Sequence, residues 1–406
     1  MQTRLAKHYA NTESGLIAES IIRNCVHCGF CNATCPTYQI LGDERDGPRG
    51  RIYLIKQLLE GSTPTRETQV HLDQCLNCRA CETTCPSGVE YAKLADIGRA
   101  EVEKQVRRPF ADQILRQALL HTVPYPGRFG PLLKTVNLLK PLLPGRLKIN
   151  LTPVQKSKPL SQQRHQRFML VLAGCVQSVS SPQTNQAAAK VLDKLAISLL
   201  EAPTAGCCGA LAQHLSAEEK AALQMQQNID AWWPYIEQGC EAIVMTASGC
   251  GSTVKEYGYF LRNDKAYAAK AAKVSGLCKD IAEVIAAEDL SAWKNLGAGN
   301  SIAFQCPCSL QHGQRLSGVV ESILQQLGYT TPVVSDAHIC CGSAGSYALL
   351  QPELSQQLRQ HKLNALKAAQ PDKIVTANIG CQLHLSSKEQ PVNHWIELLA
   401  EQIDNV

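Results

Sequence analysis

The chain has 406 residues, 45% of them apolar and 18% charged, with a net charge of +5. That excludes an intrinsically disordered protein and allows two or three domains with ordinary cores. Nineteen cysteines in so long a chain, with no apolar signal-peptide core in residues 1–20, read as metal binding or redox chemistry in a reducing cytoplasm.

Residues 1–105 form the first expected domain. Ile17 to Ile22 predicts a short helix leading into Cys25-Val-His-Cys28-Gly-Phe-Cys31-Asn-Ala-Thr-Cys35-Pro36. Its counterpart is Cys75-Leu-Asn-Cys78-Arg-Ala-Cys81-Glu-Thr-Thr-Cys85-Pro86. Both read C-x2-C-x2-C-x3-C-P, the spacing that holds 4Fe–4S clusters in bacterial ferredoxins, where the fourth cysteine ligates the other cluster. One cluster is therefore expected on Cys25, Cys28, Cys31 and Cys85, and a second on Cys35, Cys75, Cys78 and Cys81. Four thiolates also suit zinc, but zinc sites pair two C-x2-C units and have no use for the third cysteine in step. His27, inside the first loop, reads as a hydrogen-bond donor near sulfur and not as a ligand. Between the motifs, Asp46-Gly-Pro-Arg-Gly-Arg-Ile-Tyr-Leu-Ile-Lys-Gln-Leu-Leu predicts a turn and an amphipathic helix with apolar residues at 52, 54, 55, 58 and 59. An α-helical ferredoxin module is expected.

Residues 106–165 are a basic, proline-rich connector. From Arg107 to Arg167 there are twelve Lys and Arg against one acid, Asp112, which leaves the rest of the chain net negative. Its prolines predict short helices and extended pieces. The leucines and cations of 130–146 read either as a linker packed on a neighbour or as a patch for an anionic membrane surface or acidic subunit. No uncharged apolar run approaches the roughly 18 residues that span a bilayer, so membrane contact is expected to be peripheral.

Beyond residue 166 the chain repeats itself. Arg167 to Cys175 predicts a buried strand ending on a cysteine. Thirty-one residues intervene before Cys207-Cys208-Gly209, and a helical stretch then leads to Ala242–Cys250. In the second copy Ser301 to Cys308 is followed, after the same thirty-one residues, by Cys340-Cys341-Gly342 and then by Lys373–Cys381. The stations are offset by 133, 133 and 131 residues, which defines two homologous halves, 166–295 and 296–406. Strands alternating with helices predict an α/β unit with a mainly parallel sheet in each half. Open parallel sheets place ligand crevices beyond their strand ends, so Cys175, Cys207, Cys208 and Cys250 are candidates for one redox or metal site. Cys308, Cys340, Cys341 and Cys381 are candidates for another. The plain alternative is buried scaffold. Cys306 is a spare ligand; Cys240 and Cys278 read as core residues on helical stretches, and Trp232 and Trp233 as packing a helix end. His312 and His384 read as structural, with metal ligation or proton transfer as the other use. The fold class expected is a multidomain α+β chain: helical ferredoxin module, connector, two cysteine-rich α/β domains.

No nucleophile–base arrangement, phosphate loop or G-x-G-x-x-G fingerprint is present, so no catalytic residue is assigned and no flavin or nicotinamide site is expected. Nothing points to nucleic acid.

Two ferredoxin motifs joined to two Cys-Cys-Gly repeats resemble the cysteine-rich (CCG) proteins: heterodisulfide reductase subunits, the iron–sulfur subunit of anaerobic glycerol-3-phosphate dehydrogenase, and lactate-utilisation proteins. The stretches 25–31, 46–57, Asn228-Ile-Asp-Ala-Trp-Trp-Pro and Thr376-Ala-Asn-Ile-Gly-Cys are similar to the iron–sulfur subunits of bacterial glycolate oxidases. This resemblance implies an electron-transfer subunit that is not catalytic alone. It implies FAD on partner subunits, which oxidise glycolate or D-lactate, and a membrane quinone acceptor at the cytoplasmic face of the inner membrane. One departure stands out. Heterodisulfide-reductase repeats end in C-x2-C, whereas here Thr253 and His384 follow Cys250 and Cys381 at that spacing, which argues against disulfide catalysis.

Overall fold

In the computed structural model, which describes residues 1–139, 160 and 162–403, the N-terminal module is built from helices. Helix α1 (Glu13–Asn24) is capped by Thr12, whose side chain accepts from the Gly15 amide. It feeds directly into Cys25. Helix α2 (Pro48–Leu59) begins with proline at its first position and buries Ile52, Ile55, Leu58 and Leu59, the face that the apolar spacing predicts. Helix α3 (Arg66–Asp73) carries a Thr65–Thr68 capping box. Helix α4 (Tyr91–Gln105) closes the module, approaching α2 where Gly98 faces Ile55; a Cβ there would fall 2.6 Å from the Ile55 side chain.

The connector begins as α5 (Phe110–Thr122) and α6 (Pro126–Leu139). The expected break at Pro131 does not occur; α6 runs through it, forgoing one backbone hydrogen bond. The cations of 140–158 lie outside the described residues. Several of those before and after are paired within the molecule, whereas Arg107, Arg128 and Lys134 are exposed. Arg108 pairs with Asp73, Glu103 and Asp112, Arg116 with Asp73 and Asp112, and Arg167 with Glu241 and Glu288.

The first cysteine-rich half holds a wholly parallel sheet of β1 (Arg167–Val171), β2 (Ile197–Glu201), β3 (Ile243–Met245) and β4 (Cys278–Asp280) in the order β2-β1-β3-β4. The crossover from β1 to β2 is α7 (Gln183–Lys194) and that from β2 to β3 includes α8 (Ala210–His214) and α9 (Glu218–Glu237). The second half repeats the plan with β5 (Ile302–Gln305), β6 (Lys373–Thr376) and β7 (Val392–His394). Its counterpart of β2 is reduced to one bridge, Ser301 to Thr330.

Two residues depart from expectation. Cys278 opens β4, paired with Ile243, and Cys240 lies in the turn between α9 and β3. Both are buried, as core residues should be, but the polypeptide there is committed to entering the sheet. Trp232 packs in the interior of α9, stacked on Tyr257 with ring centroids 6.4 Å apart; only Trp233 reaches the rim, donating to Glu237.

The two halves share one core. The C-terminal helix α13, preceded by α10 (Ser248–Val254), α11 (Pro352–Lys367) and α12 (Ile379–Leu385), spans Trp395–Ile403. Its Trp395, Ile396 and Leu399 join Val191 and Leu192 of α7 and Val244 of β3 in a single apolar cluster. Lys190 Nζ donates to the Ala400 carbonyl at 2.7 Å across this junction.

Candidate metal centres

The two C-x2-C loops are built alike. His27 and Gly29 in the first loop and Asn77 and Arg79 in the second all have φ between +51° and +86°. This curls each loop inward, so that the Asn77 amide donates to Cys75 Sγ at 3.4 Å. A Cβ on Gly29 would fall 2.8 Å from the Arg49 guanidinium. Cys31 and Cys81 follow on one-turn helices, Phe30–Ala33 and Ala80–Thr84. These are tied together by Thr34 Oγ1 donating to the Ala80 carbonyl.

Side by side, the motifs enclose two hollows. The first is lined by Cys25, Cys28, Cys31, Cys81 and Cys85. The second is lined by Cys35, Cys75, Cys78 and Cys81. Pro48 and Tyr91 stand in the walls of both. The first hollow thus draws three cysteines from its own motif and Cys81 and Cys85 from the other, and the second draws three from its own and Cys35 from the other. Among the described residues no group of three or more His, Cys, Asp or Glu is arranged for a single metal ion; the thiols are spread around the hollows. This donor set fits a 4Fe–4S group, which takes four thiolates at separate irons.

The electrostatics of the hollows differ. Burial, with the neighbouring Cys25 and Cys28, pushes the Cys31 thiol up to about 11. At Cys75 burial also pushes upward, but Arg51 and Arg99, together with hydrogen bonds from the Asn77 amide and Tyr91, outweigh it and hold the thiol below its ordinary value. Burial keeps Cys78 and Cys81 well above theirs.

The cysteine stations of each half converge as well. In the first half, thiol contacts run from Cys175 to Cys207 to Cys208 to Cys250. Contact with Cys207, then burial, pushes Cys175 far up. In the second half Cys308 Sγ lies 3.7 Å from Cys340 Sγ, and Cys341 Sγ 3.3 Å from Cys381 Sγ. The glycine of each Cys-Cys-Gly has φ of +90°, and a Cβ on Gly342 would meet the Ser355 carbonyl at 2.6 Å. No other residue would let the pair turn toward the sheet end there.

Asn378 joins the two halves. Its Oδ1 accepts from the Gly249 amide at 3.1 Å, beside Cys250, and its Nδ2 donates to Cys381 Sγ at 3.6 Å. Cys306 is buried at the end of β5 within the shared core. His312 is structural: Nδ1 meets Thr83 Oγ1 at 2.8 Å and Nε2 meets the His338 carbonyl at 3.1 Å. His384 lies against Ser355 Oγ at 3.3 Å, with burial holding it down to about 4.

The ferredoxin module rests on both halves. On the first, Arg79 pairs with Glu256 at 2.7 Å and Asn77 Nδ2 meets His214 Nδ1 at 3.3 Å. On the second, Tyr347 donates to the Gln74 carbonyl at 3.0 Å. There Cys78 and Leu76 pack into one cluster with Ile339, Cys340 and Cys308.

Residues 21–89 match the family described as 4Fe-4S dicluster domain, and residues 169–255 and 302–386 match the cysteine-rich domain family. These matches and the thiol-lined hollows define an iron–sulfur electron-transfer protein of the ferredoxin plus cysteine-rich class. The chain is 53% identical to the glycolate oxidase iron-sulfur subunit of Escherichia coli over the full length of both. It is 29% identical to the probable glycolate oxidase iron-sulfur subunit of Bacillus subtilis, over 94% of each. Lactate utilization protein A of Geobacillus kaustophilus is 24% identical over 53% of this chain and 88% of its own length. The chain belongs to the family of glycolate oxidase iron–sulfur subunits.

Sequence reasoning placed the cysteines but missed Arg51, Tyr91 and Asn378. Only Arg51 left a signal, as a cation on the otherwise apolar face of α2.

Proposed function

We propose that this chain carries electrons singly from a flavin-containing partner subunit, which oxidises glycolate or D-lactate to the 2-oxo acid, toward a membrane quinone. A 4Fe–4S cluster in each hollow would supply the one-electron storage that links a two-electron flavin to its acceptor. Cys25, Cys28, Cys31 and Cys85 would hold the first, and Cys35, Cys75, Cys78 and Cys81 the second.

One observation carries the reading: the two hollows adjoin, sharing Cys81, and lie between an exposed thiol and the thiols of the second half. The first hollow reaches the surface at exposed Cys28, flanked by Val26 and Phe30, which are 68% and 62% exposed. The second abuts the second half, where Cys78 packs with Cys308 and Cys340. Electrons received at the Cys28 edge therefore have an inward route, and the four-thiol site of the second half is its next station. The partner's FAD would face Val26 and Phe30. Phe110, Ile114 and Leu115 form an exposed apolar strip on α5. That strip supports peripheral contact at the cytoplasmic membrane face, and among the described residues no helix is long and apolar enough to cross a membrane.

The test uses the assembled complex with Cys28→Ser or Cys78→Ser. Glycolate should still reduce the flavin at an unchanged rate while quinone reduction is lost. Quinone reduction persisting in both variants would overturn the proposal.

A further inference from the structure

Helix α2 sends one arginine into each hollow. Arg49 lines the first and Arg51 the second. Two residues apart is roughly 200° around a helix, so their side chains leave opposite sides of its first turn. Gly50 between them is obligatory, because a Cβ would fall 2.0 Å from the Glu44 carbonyl.

The two cations are not equivalent. The Arg49 side chain is 33% exposed and its Nε meets Glu44 Oε1 at 2.5 Å, so its charge is compensated at close range and screened by water. The Arg51 side chain is 1% exposed. Its Nε donates to the His71 carbonyl at 2.7 Å and Nη1 to Thr37 Oγ1 at 3.0 Å. The carboxylate nearest it, Asp46, lies at 3.5 Å, is shared with His71 Nδ1 at 2.8 Å, and does not face the hollow. Arg99 reinforces Arg51, donating through Nη2 to the Cys75 carbonyl at 2.6 Å. Arg79 also lines this hollow, but Glu82 and Glu256 compensate it from two sides.

We propose that Arg51 raises the reduction potential of the centre on Cys35, Cys75, Cys78 and Cys81 above that on Cys25, Cys28, Cys31 and Cys85, and so makes electrons run inward. This rests on the reading that both hollows hold clusters. The step moves one electron, oxidising the outer centre and reducing the inner, with no bond made and no proton moved. Reduction adds a negative charge, which a fixed buried cation stabilises strongly where the dielectric is low. Burial of Cys78 and Cys81 alone would act the other way, since desolvation disfavours added charge.

The test is an anaerobic, EPR-monitored redox titration of the full chain, the two signals being assigned with Cys35→Ser and Cys85→Ser. The wild type should show the inner centre at the higher midpoint. Arg51→Gln should lower the inner midpoint by about 59 mV or more, tenfold in the one-electron exchange constant, and leave the outer one in place. Arg51→Lys should restore most of the shift. Arg99→Gln should move the same signal downward, which keeps the test decisive if Arg51→Gln fails to fold. Arg49→Gln should leave the inner midpoint unchanged. An inner midpoint unmoved by both Arg51→Gln and Arg99→Gln, or both midpoints moving together, overturns the inference alone. A wild type with fewer than two cluster signals overturns the underlying reading with it.

Discussion

Replacing Cys85 by serine is expected to abolish the outer centre while sparing the inner one, although Cys85 belongs to the same motif as three of the inner ligands. The reason is spatial. Cys85 lines the first hollow with Cys25, Cys28 and Cys31, whereas Cys35 of the first motif lines the second with Cys75, Cys78 and Cys81. Each hollow calls for four irons, so the intact chain should contain about eight and the Cys85→Ser chain about four. Cys35→Ser should also halve the iron, but by removing the other signal. Anaerobic iron and sulfide analysis gives the count, and EPR of the dithionite-reduced protein gives the identity. Cys28→Ser and Cys85→Ser must then abolish one signal, and Cys78→Ser and Cys35→Ser the other. If instead Cys85→Ser and Cys78→Ser eliminate the same signal, each motif holds its own cluster and the crossed assignment is wrong. Loss of all eight irons in every variant would equally refute independent hollows.

His394 is 1% exposed and its Nδ1 accepts from the Ile396 amide at 3.2 Å; burial, which disfavours the charged ring, holds it down to about 4. The unfolded imidazole protonates near 6.5, so its contribution is complete above that value and is lost as pH falls toward 4. From pH 7 to pH 5 the loss is about 2 kcal/mol. Denaturant unfolding of His394→Gln should therefore show a pH dependence flatter by about that amount; an identical slope would contradict it. Arg108, with its side chain 7% exposed, meets Asp73, Glu103 and Asp112. Its replacement by Met leaves Asp73 and Asp112 to Arg116, and Glu103 without a cation, and should cost about 2–3 kcal/mol, read as a lowered unfolding midpoint. A cost under 1 kcal/mol would return this cation to the pool available for a membrane or partner surface.

What the sequence made legible was local or periodic. The C-x2-C-x2-C-x3-C-P spacing is set by how near along the chain thiols must lie to curl around one group, so it survives without tertiary knowledge. The cysteine stations were legible because duplication preserved their offsets and because parallel strands end where crevices form. Arg51, by contrast, shows in the sequence only as a cation on the apolar face of α2. Only packing shows that it is sealed over Cys75 while Arg49, two positions earlier, remains at the surface. The basic stretch misleads for the same reason: Asp73 and Glu103, which neutralise Arg108, lie outside the window in which charge was counted. Cys278 reads as helical in the sequence because its strand partner, Ile243 of β3, is remote in the chain.

The least legible feature is how the repeat becomes asymmetric. Duplication supplies two four-thiol sites of like construction, on parallel sheets that share the order of three strands, joined through Asn378. A single ferredoxin module cannot meet both in the same way. It turns charged and amide groups toward the first half, through Arg79 with Glu256 and Asn77 with His214. Toward the second it turns Leu76 and Cys78, which pack with Ile339, Cys340 and Cys308. A thiol-to-thiol approach is thereby created at the second half, while ion-pair docking at the first fixes the module's orientation. Equal sites in sequence become unequal in position. The pairs responsible are separated by more than a hundred residues, and neither spacing nor composition records them.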